Sequence, residues 1–202
     1  WAPAGGAAMA KVLGIDKGLI ATRVRELGGV SHACMDFTTP EAAAAIAAAG
    51  PLACIVCDAN VHAHDIMSLV LETLTSAVRA GGWAEGEGPG RLLSPSGCFL
   101  VVTLKFPYKR GSSIAKRLEL MGETLPGQLR QIADLGGGDR DVPYIITHLM
   151  ANAEGERTLV ADIGGSSRYK HREEEAWHLW CTIEHIKSCS STDWLQRISP
   201  RS

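Results

Sequence analysis

The sequence predicts an α/β fold, a three-layer and mostly parallel sheet with an antiparallel hairpin at its edge. Three observations predict it. Short apolar runs of strand length alternate with segments of helical spacing. Several of those runs end in a charged residue. The last two runs are separated only by "ANAEGE", a connection short enough for a hairpin. At 202 residues the chain suits one domain with a full core better than two. A hydrophobic content of 46%, a charged content of 21% and no apolar run of membrane-spanning length predict a soluble protein without a membrane helix.

The elements follow in order. "KVLGID", Lys11 to Asp16, is a short strand ending in an acid, and "GLIATRVREL", Gly18 to Leu27, has helical spacing. "SHACMDF" supplies a strand around Ala33 to Phe37. "PEAAAAIAAAG" is a helix opened by Pro40 in its first turn and closed by Gly50. "LACIVCD", Leu52 to Asp58, is a continuous apolar run of the kind buried on both faces of a parallel sheet. In "DIMSLVLETLTSAVRAGG", Ile66, Leu69, Val70, Thr73, Leu74, Ala77 and Val78 form one helical stripe with a two-glycine stop. "WAEGEGPGRLLSPSG" predicts a surface loop and "CFLVVTLKF" a strand that stays apolar until Lys105. Helices are expected around Ser113 to Met121 and Gly127 to Leu135, then the hairpin strands "PYIITHLM" and "RTLVADI". The domain is expected to span 1–163. Residues 164–202 read as a linker into a C-terminal helical extension with Trp177, Trp180 and Ile183 on one side.

In an open α/β sheet, ligands bind at the carboxyl ends of the strands. The charged residues to list there are Asp16, Asp36, Asp58 and Lys105. Glu156, at the start of the last strand, joins them because an antiparallel strand begins where its neighbours end. An acid ending a strand near the start of such a fold suits the hydroxyls of an adenosine ribose, in nicotinamide cofactors and S-adenosylmethionine alike. "APAGG" supplies small residues for a backbone loop but is not the G-x-G-x-x-G fingerprint, which weighs against a dinucleotide enzyme.

Taken in order, "GGAAMAKVLGIDKG", "SHACMDF", "IVCDAN", "GCFLVVTLKFPYKR" and "GERTLVADI" resemble the FtsJ-type (RrmJ-like) RNA 2'-O-methyltransferases. The resemblance is closest to the branch that methylates a cytidine of large-subunit ribosomal RNA. That branch carries D-N-G, C-D and L-K-x-P-x-K at these strand ends. Here the corresponding residues are Asp16-Lys17-Gly18, Cys57-Asp58 and Leu104 to Lys109. The resemblance implies a Rossmann-like class I methyltransferase fold and S-adenosyl-L-methionine as cofactor. It implies Gly5 and Gly6 near the methionine end, Asp16 on the ribose, Asp36 near the adenine, and Asp58 shared between cofactor and catalysis. It also implies a catalytic Lys-Asp-Lys-Glu set, whose last three members match Asp58, Lys105 and Glu156, with Glu154 a competitor for the last place. No lysine precedes Gly5 to match the first, and Lys11 and Lys17 lie beyond the glycine loop.

The chemistry of such a set is physically coherent. A ribose 2'-hydroxyl is a weak nucleophile, and a neutral lysine amine can take its proton or orient its lone pair. Burial and neighbouring cations favour that neutral form, whereas carboxylates oppose it. Asp58 would fix the lysine and Glu156 would complete the network. Positioning supplies much of the rate, with effective molarities on the order of 10⁵ M or more.

For the substrate, Lys109 and Arg110 can neutralise RNA phosphates and Tyr108 can stack on a base, against the alternative of a solvated basic loop. "RYKHR", followed by three glutamates, reads as the charged face of a helix. A metal is not expected. "HAHD" departs from the H-x-H-x-D-H of metallo-hydrolases, and Cys54 and Cys57 alternate across a strand. His62 and His64 instead flank a helix start, with Asp65 at its positive end. The expected partner is RNA, with ribosomal RNA first, and the alternative is a catalytically inactive RNA-binding or scaffold domain. Cysteines placed in apolar runs, and a start without the features of a signal peptide, predict a reducing, intracellular setting, cytoplasmic by default. Oligomeric state is left open.

Overall fold

The computed structural model describes residues 11–83, 92–106, 114–136, 144–153 and 155–164. Gly5, Gly6, Tyr108, Lys109, Arg110, Glu154 and the extension over 165–202 therefore lie outside the described residues. Two sheets are present among them. Strands β1 (Val12–Asp16) and β2 (Val30–Cys34) form a parallel pair. Strands β3 (Cys54–Cys57), β4 (Cys98–Lys105), β5 (Tyr144–Ala153) and β6 (Glu156–Ile163) form the second sheet in the order β3-β4-β6-β5. The β3-β4 pair is parallel, while β6 runs antiparallel to both β4 and β5. The short connection thus gives a hairpin, with β5 at the edge and β6 inside the sheet.

Four helices connect these strands. Helix α2 (Pro40–Ala49) begins where Thr39 accepts a hydrogen bond from the Ala42 N–H and Pro40 needs no donor. Its buried positions are Ala42, Ala43 and Ala47, small enough for close approach to α3 (Ala63–Ala80). The predicted stripe of α3 is the buried one, through Ile66, Val70, Thr73, Leu74 and Ala77, with Leu69 and Val78 half-buried.

Two helices differ from expectation. The segment Gly18 to Leu27 contains only one turn, α1 (Thr22–Arg25), which buries no residue. Helical spacing without a face to bury does not sustain a helix. Conversely, the two helices expected between 113 and 135 are one, α4 (Ile114–Asp134), which runs through Pro126. An interior proline costs roughly 3 kcal/mol. The stripe Met121, Leu125, Leu129 and Ile132 is fully buried across it, and each such side chain contributes about 1.5–3 kcal/mol. Burial wins. The Gln128 side chain also donates to the Ser68 hydroxyl at 2.9 Å, tying α4 to α3.

Strand alternation sets the layering. Leu100, Val102 and Leu104 of β4 and Leu159, Ala161 and Ile163 of β6 form one core with the buried stripes of α3 and α4. The other face carries Phe99, 51% exposed, and Val56, 70% exposed. Three layers were expected, with β3 buried on both faces. Among the described residues the four-stranded sheet carries helices on one face only, so Cys54 and Val56 of β3 are exposed. The expected 83–97 loop also differs in its second half, because Leu92 and Leu93 are buried and Leu93 bridges Leu52.

Candidate functional site

Asp58, Lys105 and Glu156 converge at one end of the four-stranded sheet. Lys105 ends β4, and Glu156 begins β6 directly opposite it. Paired residues share a face, so both side chains project from the face that carries Phe99 and Val101. Asp58 follows β3 and continues the alternation of Cys54 and Val56 toward the same side. The Lys105 Nζ lies 3.2 Å from Asp58 Oδ1 and 4.0 Å from Glu156 Oε1. The lysine is sheltered at 23% exposure, whereas Asp58 is 67% exposed. One ammonium thus stands between two carboxylates, with its open side toward solvent.

The turn before Glu156 sets its place opposite Lys105. Gly155 has φ +74°, and a Cβ there would meet the Phe106 carbonyl oxygen at 2.8 Å. The Phe106 N–H donates to the Gly155 carbonyl at 2.7 Å. This close backbone approach locks the end of β4 to the hairpin and holds Glu156 opposite Lys105. The absence of a side chain at Gly155 is what lets the two strands meet.

His62 also borders the site. Its backbone forms an isolated parallel bridge with Lys105, so the chain past β3 still runs beside the end of β4. As expected, His62 caps α3, its Nδ1 accepting the His64 N–H at 3.2 Å. Its ring stacks on that of His64 at 5.1 Å.

Asp16 and Asp36 form a second polar cluster at the carboxyl end of β1 and β2. The Met35 N–H donates to the Asp16 carbonyl at 2.9 Å, which sets the two strand ends side by side. Asp16 Oδ1 accepts the Gly18 N–H at 2.6 Å. Asp36 lies two residues beyond β2, in a turn where its Oδ1 accepts from the Thr38 N–H and hydroxyl at 3.0 and 2.9 Å. Its Oδ2 meets Lys17 Nζ at 2.7 Å. The Lys17 ammonium, helped by the Thr38 donors, holds the Asp36 carboxyl down at about 2.

The cysteines divide by environment. Cys34 and Cys54 are exposed, although both stand within or beside apolar runs of the sequence. Cys98 is buried, and burial pushes its thiol up to about 12. Burial also raises the Cys57 thiol, beside Asp58. Among the described residues, no group of three or more His, Cys, Asp and Glu side chains is arranged to hold a metal, and no helix is long and apolar enough to cross a membrane. Compared with protein-family models, curated proteins and solved structures, the chain matches none.

Proposed function

We propose that this chain transfers a methyl group from S-adenosylmethionine to a ribose 2'-hydroxyl of RNA, with ribosomal RNA as the first substrate to test. The observation that carries the reading is Lys105 Nζ held 3.2 Å from Asp58 and 4.0 Å from Glu156 at one end of the four-stranded sheet. The two acids fix the position of the Lys105 amine on one face of the sheet, where it can meet a weakly acidic hydroxyl.

The residues at the β1-β2 end fit the adenosine part of the donor. Asp16 commits one oxygen to its own turn, which leaves carboxylate capacity for hydroxyl donors, whereas the second oxygen of Asp36 is held by Lys17. The donor supplies an electrophilic methyl group. Lys105 takes the 2'-hydroxyl proton at Nζ, which requires its neutral amine. A cation nearby favours that form and the two carboxylates oppose it. Asp58 orients the Lys105 side chain, and Glu156 limits its swing from the opposite strand.

Methyl transfer from labelled S-adenosylmethionine to undermodified ribosomal RNA tests the reading, run beside Lys105→Ala and Asp58→Ala. Transfer by the wild type and loss of at least about a hundredfold in Lys105→Ala is expected. Full transfer by Lys105→Ala would sink the mechanism. RNA binding without any donor binding would favour the inactive scaffold.

A further inference from the structure

We propose that Lys17 is an internal competitor for the donor, a lysine whose ammonium occupies the Asp36 carboxylate and must be displaced before an adenosine group can use it. The inference rests on the methyltransferase reading and adds a residue that sets donor affinity. Asp36 has one oxygen saturated by its own turn, through Thr38 N–H and Oγ1 at 3.0 and 2.9 Å. The other oxygen, Oδ2, is the one turned toward a partner, and Lys17 holds it at 2.7 Å.

Displacement needs only a side-chain rotation. The Lys17 backbone is pinned on both sides: the Cys34 thiol donates to the Lys17 carbonyl at 3.2 Å, and the Gly18 N–H is fixed on Asp16 at 2.6 Å. The Lys17 side chain itself is 75% exposed. A long exposed lysine gains little from one ion pair and loses rotamer freedom to make it. An incoming group with N–H or O–H donors competes with it on nearly even terms. Asp16, one residue away at the adjacent strand end, remains outside this pair, so Lys17 controls one acid of the two.

The probe is S-adenosylhomocysteine, titrated by calorimetry into the wild-type chain and Lys17→Met at low and high ionic strength. Thermal unfolding of both checks the fold, and Lys17→Gln replaces the methionine variant if that one unfolds. Removing the competing ammonium should tighten binding by about two- to fivefold at low salt, the range an exposed ion pair spans. Raising the salt should narrow the gap, because screening weakens the Lys17–Asp36 pair in the wild type. Equal affinities at both salt concentrations, or weaker binding by a folded variant, would overturn the inference and leave the methyltransferase reading standing. Absence of binding by either protein would remove both.

Discussion

Replacing Lys105 with methionine separates a structural role from a chemical one. The change removes the ammonium and keeps most of the side-chain length, so the sheltered stem of Lys105 is still filled. Asp58 is 67% exposed, and an ion pair with so open a partner contributes about 0.2–1 kcal/mol. Glu156, at 4.0 Å, adds less. Neither acid is stranded without water, since Glu156 retains 32% exposure. The loss in unfolding free energy should therefore stay below about 1.5 kcal/mol. A lost proton acceptor instead costs about 10²–10⁴ in rate, or roughly 2.7–5.5 kcal/mol in the barrier. Urea unfolding and initial rates of methyl transfer, measured on the same preparation, give the two numbers. Transfer within about threefold of wild type would refute the proton-handling role. A stability loss above about 3 kcal/mol would show that the lysine is a structural tie whose rate effect follows from unfolding.

Three further outcomes are expected. Gly155→Ala forces an alanine to φ +74° and its Cβ against the Phe106 carbonyl, which should cost about 1–3 kcal/mol in denaturant unfolding and lower transfer by displacing Glu156; a neutral result would contradict the tight turn. Asp36 titrates at about 2 because Lys17 and Thr38 stabilise its charged form, so its contribution to stability is present above the ordinary value of 3.8 and lost as pH falls from there through about 2. Lys17→Met should move the carboxyl midpoint, read by NMR, up toward 3.8, and an unmoved midpoint would remove the pair. Alkylation of the native protein at mildly alkaline pH, mapped by peptide mass spectrometry, should label Cys34 and Cys54 before Cys57 and Cys98, following exposure and the raised thiols of the latter two; early labelling of Cys98 would contradict its burial.

The parts of the fold legible in the sequence are those whose signal is local. Helix α2 carries its start and its stop in Pro40 and Gly50, and α3 carries an apolar stripe that its burial repeats. Signals that depend on what an element packs against were misleading. The spacing of Gly18 to Leu27 has no surface to cover, and Pro126 breaks a helix only where burial does not outweigh it. The apolar run of β3 suggests two covered faces, yet Val56 is open. Within the site, Asp58 and Lys105 were readable because a charge ending an apolar strand is a local feature. Glu156 was readable as the start of the last strand, with Glu154 as its competitor, but its register opposite Lys105 depends on the Gly155 turn meeting Phe106. The approach of His62 to Lys105 was hidden, because the bridge is a backbone contact that no side-chain pattern marks.

Under the proposed function, Lys105, held by Asp58 and Glu156, handles the proton of a ribose hydroxyl during methyl transfer. The most direct measurement of that step is incubation of the wild-type chain with tritiated S-adenosylmethionine and undermodified ribosomal RNA, followed by alkaline hydrolysis. A 2'-O-methylated ribose protects its own phosphodiester, so label is expected in alkali-resistant dinucleotides and should be lost in Lys105→Met. Label released as mononucleotides, or equal label in the Lys105→Met product, would contradict it.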